Sequence, residues 1–251
     1  MKKFKWKNIV APLIVLVVII GLLEIYVAVS GIHERILPAP HVVFTTVISN
    51  FRRDLLADTL FTLRVILVGY CIAIPAGILL AAFVSQFKFL SGVLTPVIVI
   101  LTVTPMICIM PLLMTWLGFD VKVRYIVVIA MAMPIICLNT LVGFRKIERQ
   151  KLELMQAMGA SRLQTFVKVI FPNALPQVFT GLKLGCIFST IAAMSADLAI
   201  GKGGLGAKIS AYAGLLNMKM TYGTIIIVAL IGIILFTIVD KIEHKIIVWI
   251  K

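Results

Sequence analysis

The residues with the most obvious chemical potential are a glycine cluster, a methionine ladder, three histidines and four cysteines. Gly201-Lys202-Gly203-Gly204-Leu205-Gly206 satisfies Gly-x-Gly-x-x-Gly, which binds a dinucleotide pyrophosphate only when a strand precedes it and a helix opens on it. Here a long apolar run precedes it, so the pattern is read as coincidence. It is not a P-loop either, because Ala207 follows Gly206 where that motif requires Lys. No other P-loop occurs, so the chain is not expected to hydrolyse ATP by that route. Met106, Met110 and Met114 recur at i, i+4, i+8 with Cys108 among them. Soft sulfur ligands suit copper, but methionine at helical spacing more often fills irregular packing, and no metal is expected. Cys71, Cys108, Cys137 and Cys186 lie inside apolar runs at no metal-ligand spacing, as small buried hydrophobes do. His33, His41 and His244 lie outside those runs, which removes haem ligation and histidine proton relays within them. No catalytic residue is identified.

A second set is polar groups placed inside or beside apolar runs, where ionisable side chains are costly and usually face protein or water. Thr102, Thr104 and Pro105, Asn139 and Asp197 are the candidates for lining a pathway. Arg64 and Lys183 lie near the ends of their runs, where snorkelling to the surface competes with a functional role.

The elements that must carry these residues are set by composition. The 251 residues are 61% hydrophobic and 14% charged, with a mean hydropathy of +1.13. Soluble chains run nearer half apolar and a quarter charged, so this is an all-α integral membrane protein. A bilayer core takes roughly 20 apolar residues as a helix. Six such runs occur, at 9–29, 60–84, 93–119, 125–144, 175–200 and 222–239. Pro105 and Pro111 interrupt the third, and Pro172 and Pro176 flank the fifth, so kinks or tilts are expected there. The lysine-rich start, Met1-Lys2-Lys3-Phe4-Lys5, imitates a signal peptide, but its apolar run is too long for one and carries Glu24. The first run is therefore expected to stay as a span.

The net charge of +14 suggests nucleic acid until its placement is considered. With six spans and the N-terminus inside, fourteen Lys and Arg residues fall on the inner side and nine on the outer, with Lys183 within a span. That bias orients membrane proteins, so both termini are expected to be cytoplasmic, and no nucleic-acid partner is expected. The chain divides into an N-terminal span (1–30), an outer-surface amphipathic segment (31–58), a five-helix core (59–240) and a cytoplasmic tail (241–251). In 31–58, Phe44, Val47, Ile48 and Phe51 share a helical stripe after the Pro38-Ala39-Pro40 stop.

The inner connection 145–171 carries the most information. Good helix formers run from Lys151 to Met158 and stop at Gly159. Ser161-Arg162-Leu163-Gln164 fits the capping box, and Leu163, Phe166, Val167 and Ile170 make an apolar stripe that Pro172 is expected to close. The physics gives a helix, a glycine turn and a capped helix. Its stripe serves equally to pack on the chain's own bundle or to dock a soluble partner.

Glu153, Gly159 six residues later, then Val169, Phe171 and Pro172 resemble the Glu-Ala-Ala…Gly…Ile-x-Leu-Pro pattern of permease subunits of ABC importers. Leu37-Pro38-Ala39-Pro40, Thr62-Leu63-Arg64-Val65, Pro111-Leu112-Leu113 with Trp116 and Gly118, and Asp197 followed by Gly204-Leu205-Gly206 are similar to the nitrate, sulfonate and taurine branch. The resemblance implies a type I importer permease fold of six transmembrane helices in a bacterial plasma membrane. It further implies a second permease copy, two cytosolic ATPases that bind the ATP and Mg, and an external binding protein. Glu153, Leu154, Met155, Ala157, Gly159, Ala160, Ser161 and Pro172 would form the cytoplasmic coupling helix and its frame. The chain itself would need no cofactor. Leu154 and Met155 replace the motif's two alanines, Asp197 stands where Glu is commoner, and Thr102-Val103 replaces an Arg-Pro, which weakens the case for a strongly anionic solute. A carrier or channel without ATPases is the rival; it would need titrating groups at mid-membrane, and few are present.

Overall fold

A computed structural model describes residues 7–248; Lys2, Lys3, Lys5 and Lys251, which contribute to the expected orientation, lie outside them. The described residues are helical, with no strand. The helices are α1 (Lys7–Ser30), α2 (Pro40–Asn50), α3 (Leu56–Gln86), α4 (Lys88–Val103), α5 (Met106–Leu117), α6 (Val121–Arg145), α7 (Arg149–Ala157), α8 (Arg162–Thr165), α9 (Phe171–Ile200), α10 (Leu205–Gly214) and α11 (Met218–Ile246). The predicted second, fourth, fifth and sixth spans correspond to α3, α6, α9 and α11, each extended by a few residues. The first corresponds to α1, whose apolar stretch Ile14–Ser30 is exposed nearly throughout.

The third predicted span is two helices rather than one. α4 and α5 meet at 91° across Thr104 and Pro105. Pro105 removes an amide that would have bonded into α4, and its ring disfavours a helical residue before it. Thr104 accordingly leaves the helix with ψ 120°, and Pro105 is extended. Pro111 stays inside α5 without a break.

α6 is the axis, gripped by α3 on one side and α9 on the other. Glycines permit the approach: a Cβ on Gly77 of α3 would lie 2.9 Å from Ile136 Cγ2, and one on Gly185 of α9 would lie 2.7 Å from Ile136 Cγ1. Small residues at such crossings let membrane helices gain dispersion contact where no hydrophobic drive exists. Three layers of buried side chains follow this axis. On the side bearing the 145–171 loop are Ala81, Val84, Cys137, Leu141 and Phe144. Tyr70, Ala73, Ala132 and Ile136 fill the middle. On the far side Ile66, Val123, Val127 and Ala196 join Met106 and Met110 of α5. The methionine ladder is therefore core packing at its first two rungs.

Two helices continue through places where the sequence suggests they should end. The segment 31–58 does not stop before α3. α2 passes through a π-helical turn, Phe51–Leu55, directly into it. Val43 and Val47 of α2 pack on Gly223 of α11, whereas Phe44 and Ile48 of the predicted stripe remain exposed. Pro172, expected to close the loop segment, lies inside a continuous helix, Arg162–Ile200. A second π-helical turn, Phe166–Ile170, precedes it. The wider turn takes up the strain that a proline imposes on the preceding turn of an α-helix.

Candidate functional site

The 145–171 loop forms as its sequence dictates. α7 ends in a Schellman motif: Gly159 at φ +69° lets the Ala160 amide bond Met155 O at 3.0 Å and its own amide bond Gln156 O at 2.9 Å. The capping box is complete. Ser161 Oγ accepts from the Gln164 amide at 3.2 Å, and the Ser161 amide donates to Gln164 Oε1 at 2.8 Å. Glu153 accepts from Arg149 Nε at 2.9 Å along α7.

The apolar stripe divides between two faces. Phe166 stacks between Phe144 and Phe171, with ring centroids 5.3 and 6.5 Å away, and fixes the loop to the bundle. Leu163 and Val167 face outward, 72% and 57% exposed, together with Leu154 at 61% and Met158 at 72%. Met155 and Ala160 are half-buried and Ala157 exposed beside them. The result is an apolar knob held by a rigid turn in a segment otherwise rich in charge.

The candidate pathway residues do not form one cluster. Thr102 and Thr104 bond back to Ile98 O and Ile100 O, and Pro105 is exposed at the α4–α5 break. Asn139 is half-buried on α6, donates to Ile135 O at 2.8 Å, and packs where a Cβ on Gly181 of α9 would stand.

Asp197 does not line an open path. It is 0% exposed, taking Thr62 Oγ1 at 2.7 Å and Arg124 Nε at 2.8 Å. Arg124 also donates to the carbonyls of Lys202 and Gly203 and lies 5.0 Å over the Phe61 ring. Thr62 in turn accepts the Leu205 amide at 2.9 Å, and Asp58 accepts the Gly204 amide at 2.7 Å. This network clamps the 201–204 turn onto α3 and α6. It also explains the glycines: a Cβ on Gly204 would sit 2.1 Å from Asp197 Oδ2. Arg124 is one of the nine cations that the charge count assigns to the outer side, and it is buried and paired. An arginine one turn into an apolar span is itself a demand for a carboxylate, and Asp197 was the available partner.

Two further charged groups are paired. Glu24 of α1 bonds His41 at the start of α2. Lys183, rather than snorkelling, lies against Asp240 at 3.1 Å and Glu243 at 2.5 Å. Asp240, Glu243 and His244 have the spacing of a cation site, but the Lys183 ammonium already bonds both carboxylates. Arg64 is exposed on the face of α3 away from Thr62.

Comparison with known proteins follows the same lines. Residues 73–248 match the profile of a family described as binding-protein-dependent transport system inner membrane component. The chain is 27% identical over 250 residues to the riboflavin transport system permease protein of Chloroflexus aurantiacus, covering 99% of this chain and 93% of that protein. It is 26% identical over 226 residues to the formylaminopyrimidine transport permease protein of Halalkalibacterium halodurans, covering 88% and 90%. Its fold matches an inward-facing structure of the MetNI methionine ABC transporter with a TM-score of 0.62 at 20% identity, over 76% of this chain and 95% of that one.

Proposed function

The chain belongs to the family of binding-protein-dependent transport system inner membrane components, and from that premise we propose that two copies of it enclose the route by which an ABC importer moves a small hydrophilic solute inward. It is a multi-pass permease subunit. The chemistry of ATP and Mg belongs to two cytosolic ATPases, which this chain meets through α7, the Gly159 turn and α8. One observation carries that role: Leu154, Met158 and Leu163 are held out into water by a Schellman turn and a completed capping box. Exposed apolar groups on a rigid frame with a polar rim are what a partner cleft recognises. Glu153, Met155, Ala157, Ala160 and Ser161 frame this knob. Pro172 fixes where the frame becomes the α9 span.

The α4–α5 break supports a place for the path. Irregular backbone at membrane depth is tolerated only against protein or water, so Thr102, Thr104 and Pro105 face the second copy or the solute. Asn139 lies apart from them, on the face of α6 that packs against α9. Asp197 serves the path indirectly, by fixing the outer turn. With both termini cytoplasmic, as the charge bias supports, the external binding protein meets the 201–217 side. Membrane lipid covers the remaining apolar faces. Thr and Asn present hydrogen bonds without charge, which suits a thiamine-precursor-like or other weakly charged solute better than nitrate, a sulfonate or taurine.

The test is gentle affinity purification of the tagged chain from its host, with mass spectrometry of what is retained. Wild type should retain a P-loop ATPase in stoichiometric amount, and a Leu154→Asp, Met158→Asp variant should lose it while remaining folded. A folded, dimeric wild type with no ATPase would favour a carrier that works alone.

A further inference from the structure

Lys183 has no part in the function so far, yet it is a cation within a membrane helix, 21% exposed. Its surroundings give it a mechanical position. α9 is continuous with the 145–171 loop as the helix Arg162–Ile200, so displacement of the loop displaces the inner end of α9. α11 has no such connection, and its contact with α9 is incomplete. Over the middle of both helices, which touch at Thr190 and Gly232, an open apolar groove of about 600 Å³ runs along the contact, lined by Ile187, Ile191, Met194, Val228 and Phe236. At the inner end a second cavity of about 230 Å³ opens between Pro176 and Ile247. Leu235 and Val239 reach the middle core layer, but Ile242 and Ile246 are exposed and add no packing beyond it. Between the two voids stands the Lys183 ammonium, bonded to Asp240 and Glu243 one turn apart on α11. His244 lies 3.5 Å from Asp240 on the outer flank of the cluster.

We propose that Lys183 is a positioning residue for transport: by bridging Asp240 and Glu243 it makes the inner end of α11 travel with α9 when the coupling loop moves. The inference rests on the coupling role proposed above. A charged bridge adds to the sparse packing there, because parting it at the inner edge of the membrane leaves a half-buried ammonium and two carboxylates incompletely solvated. In its absence α9 would respond to the ATPases and α11 would lag, so that the two walls of the groove would no longer move together.

The test uses the full assembly in nanodiscs, with its ATPases and the binding protein isolated from the same host. ATP hydrolysis is measured with and without the binding protein, and amide exchange over 236–246 is measured without nucleotide and with ATP plus vanadate. Lys183→Met should assemble with basal hydrolysis unchanged, while stimulation by the binding protein falls about fivefold or more, within the usual range of coupling between sites. Exchange over 236–246 should rise in the same variant. Lys183→Arg should restore both, and Asp240→Asn, which leaves Glu243 in place, should give an intermediate loss. Full stimulation in Lys183→Met would overturn the proposal. So would failure of Lys183→Met to assemble if Lys183→Arg assembles with stimulation lost and Asp240→Asn is unaffected. Absence of stimulation in wild type would instead refute the importer assignment on which the inference stands.

Discussion

Asp197 and Gly159 show two ways in which a single residue is constrained. Asp197 is fixed by electrostatics. Its partner Arg124 is 3% exposed, and breaking a buried pair by neutralising one member costs about 3–5 kcal/mol, because the other charge is left without compensation. Asp197→Asn should therefore lower the midpoint of thermal unfolding sharply, while the conservative Asp197→Glu should recover part of the loss. Equal stability of Asn and Asp variants would mean that the network is decorative. Gly159 is fixed by backbone conformation alone, since a Cβ there would meet nothing within 4 Å. Gly159→Ala should cost about 1–2 kcal/mol, the price of a left-handed non-glycine residue, felt as faster amide exchange in the last turn of α7. A bulkier Gly159→Leu adds volume where the ATPases are expected to sit, and should release them in a pull-down.

At the level of elements, the sequence is most legible where one local rule operates. The capping box at Ser161 and the stop at Gly159 are complete as expected, because each depends on residues within one turn. The spans 125–144 and 175–200 are found because their apolar runs are long enough to cross the membrane as helices. The α4–α5 break is less visible: Pro105 announces a disturbance, but hydropathy is the same for a kinked span and for two helices at 91°. The π-helical turn before Pro172 is not visible at all, since a proline that ends one helix is tolerated in another when a wide turn precedes it. The stripe Leu163–Ile170 marks an apolar face, but which half of it docks depends on Phe144, more than a dozen residues earlier. Phe166→Ala tests that division. It removes two aromatic pairs, each worth about 0.5–1.5 kcal/mol beyond its buried area, and should loosen the loop from the bundle, seen as faster amide exchange across 162–170, while α7 is unchanged.

For the whole molecule, the long-range ties between charged groups were the least predictable. Arg124 with Asp197, Lys183 with Asp240, and Glu24 with His41 join residues far apart in the chain, and no spacing rule links them. The same applies on the far side, where Lys219 at the start of α11 holds Glu34 at 2.8 Å. The hydrogen bond from Lys219, then its charge, hold the Glu34 carboxyl below its ordinary 4.5. A carboxylate shifted downward stabilises the fold above its ordinary value and loses that contribution as pH falls through the lowered one. Wild type and Glu34→Gln should thus differ slightly in thermal unfolding at neutral pH and converge well below pH 4.5. A difference that persists in acid would assign the effect to packing instead.

The π-helical turn at Phe166–Ile170 has a consequence for ancestry. Such a turn is a one-residue insertion that a helix has absorbed without unravelling. Removing Val167 should restore ordinary pitch and leave everything before it on nearly the face it now presents, whereas the same deletion from a regular α-helix would rotate it by about 100°. Leu163 would then keep its outward direction, and the knob would survive the deletion. Related chains that lack this residue are thus expected to carry their exposed apolar group on the same face, so an alignment through 162–170 pairs side chains of like direction only when it places a one-residue gap within 166–170.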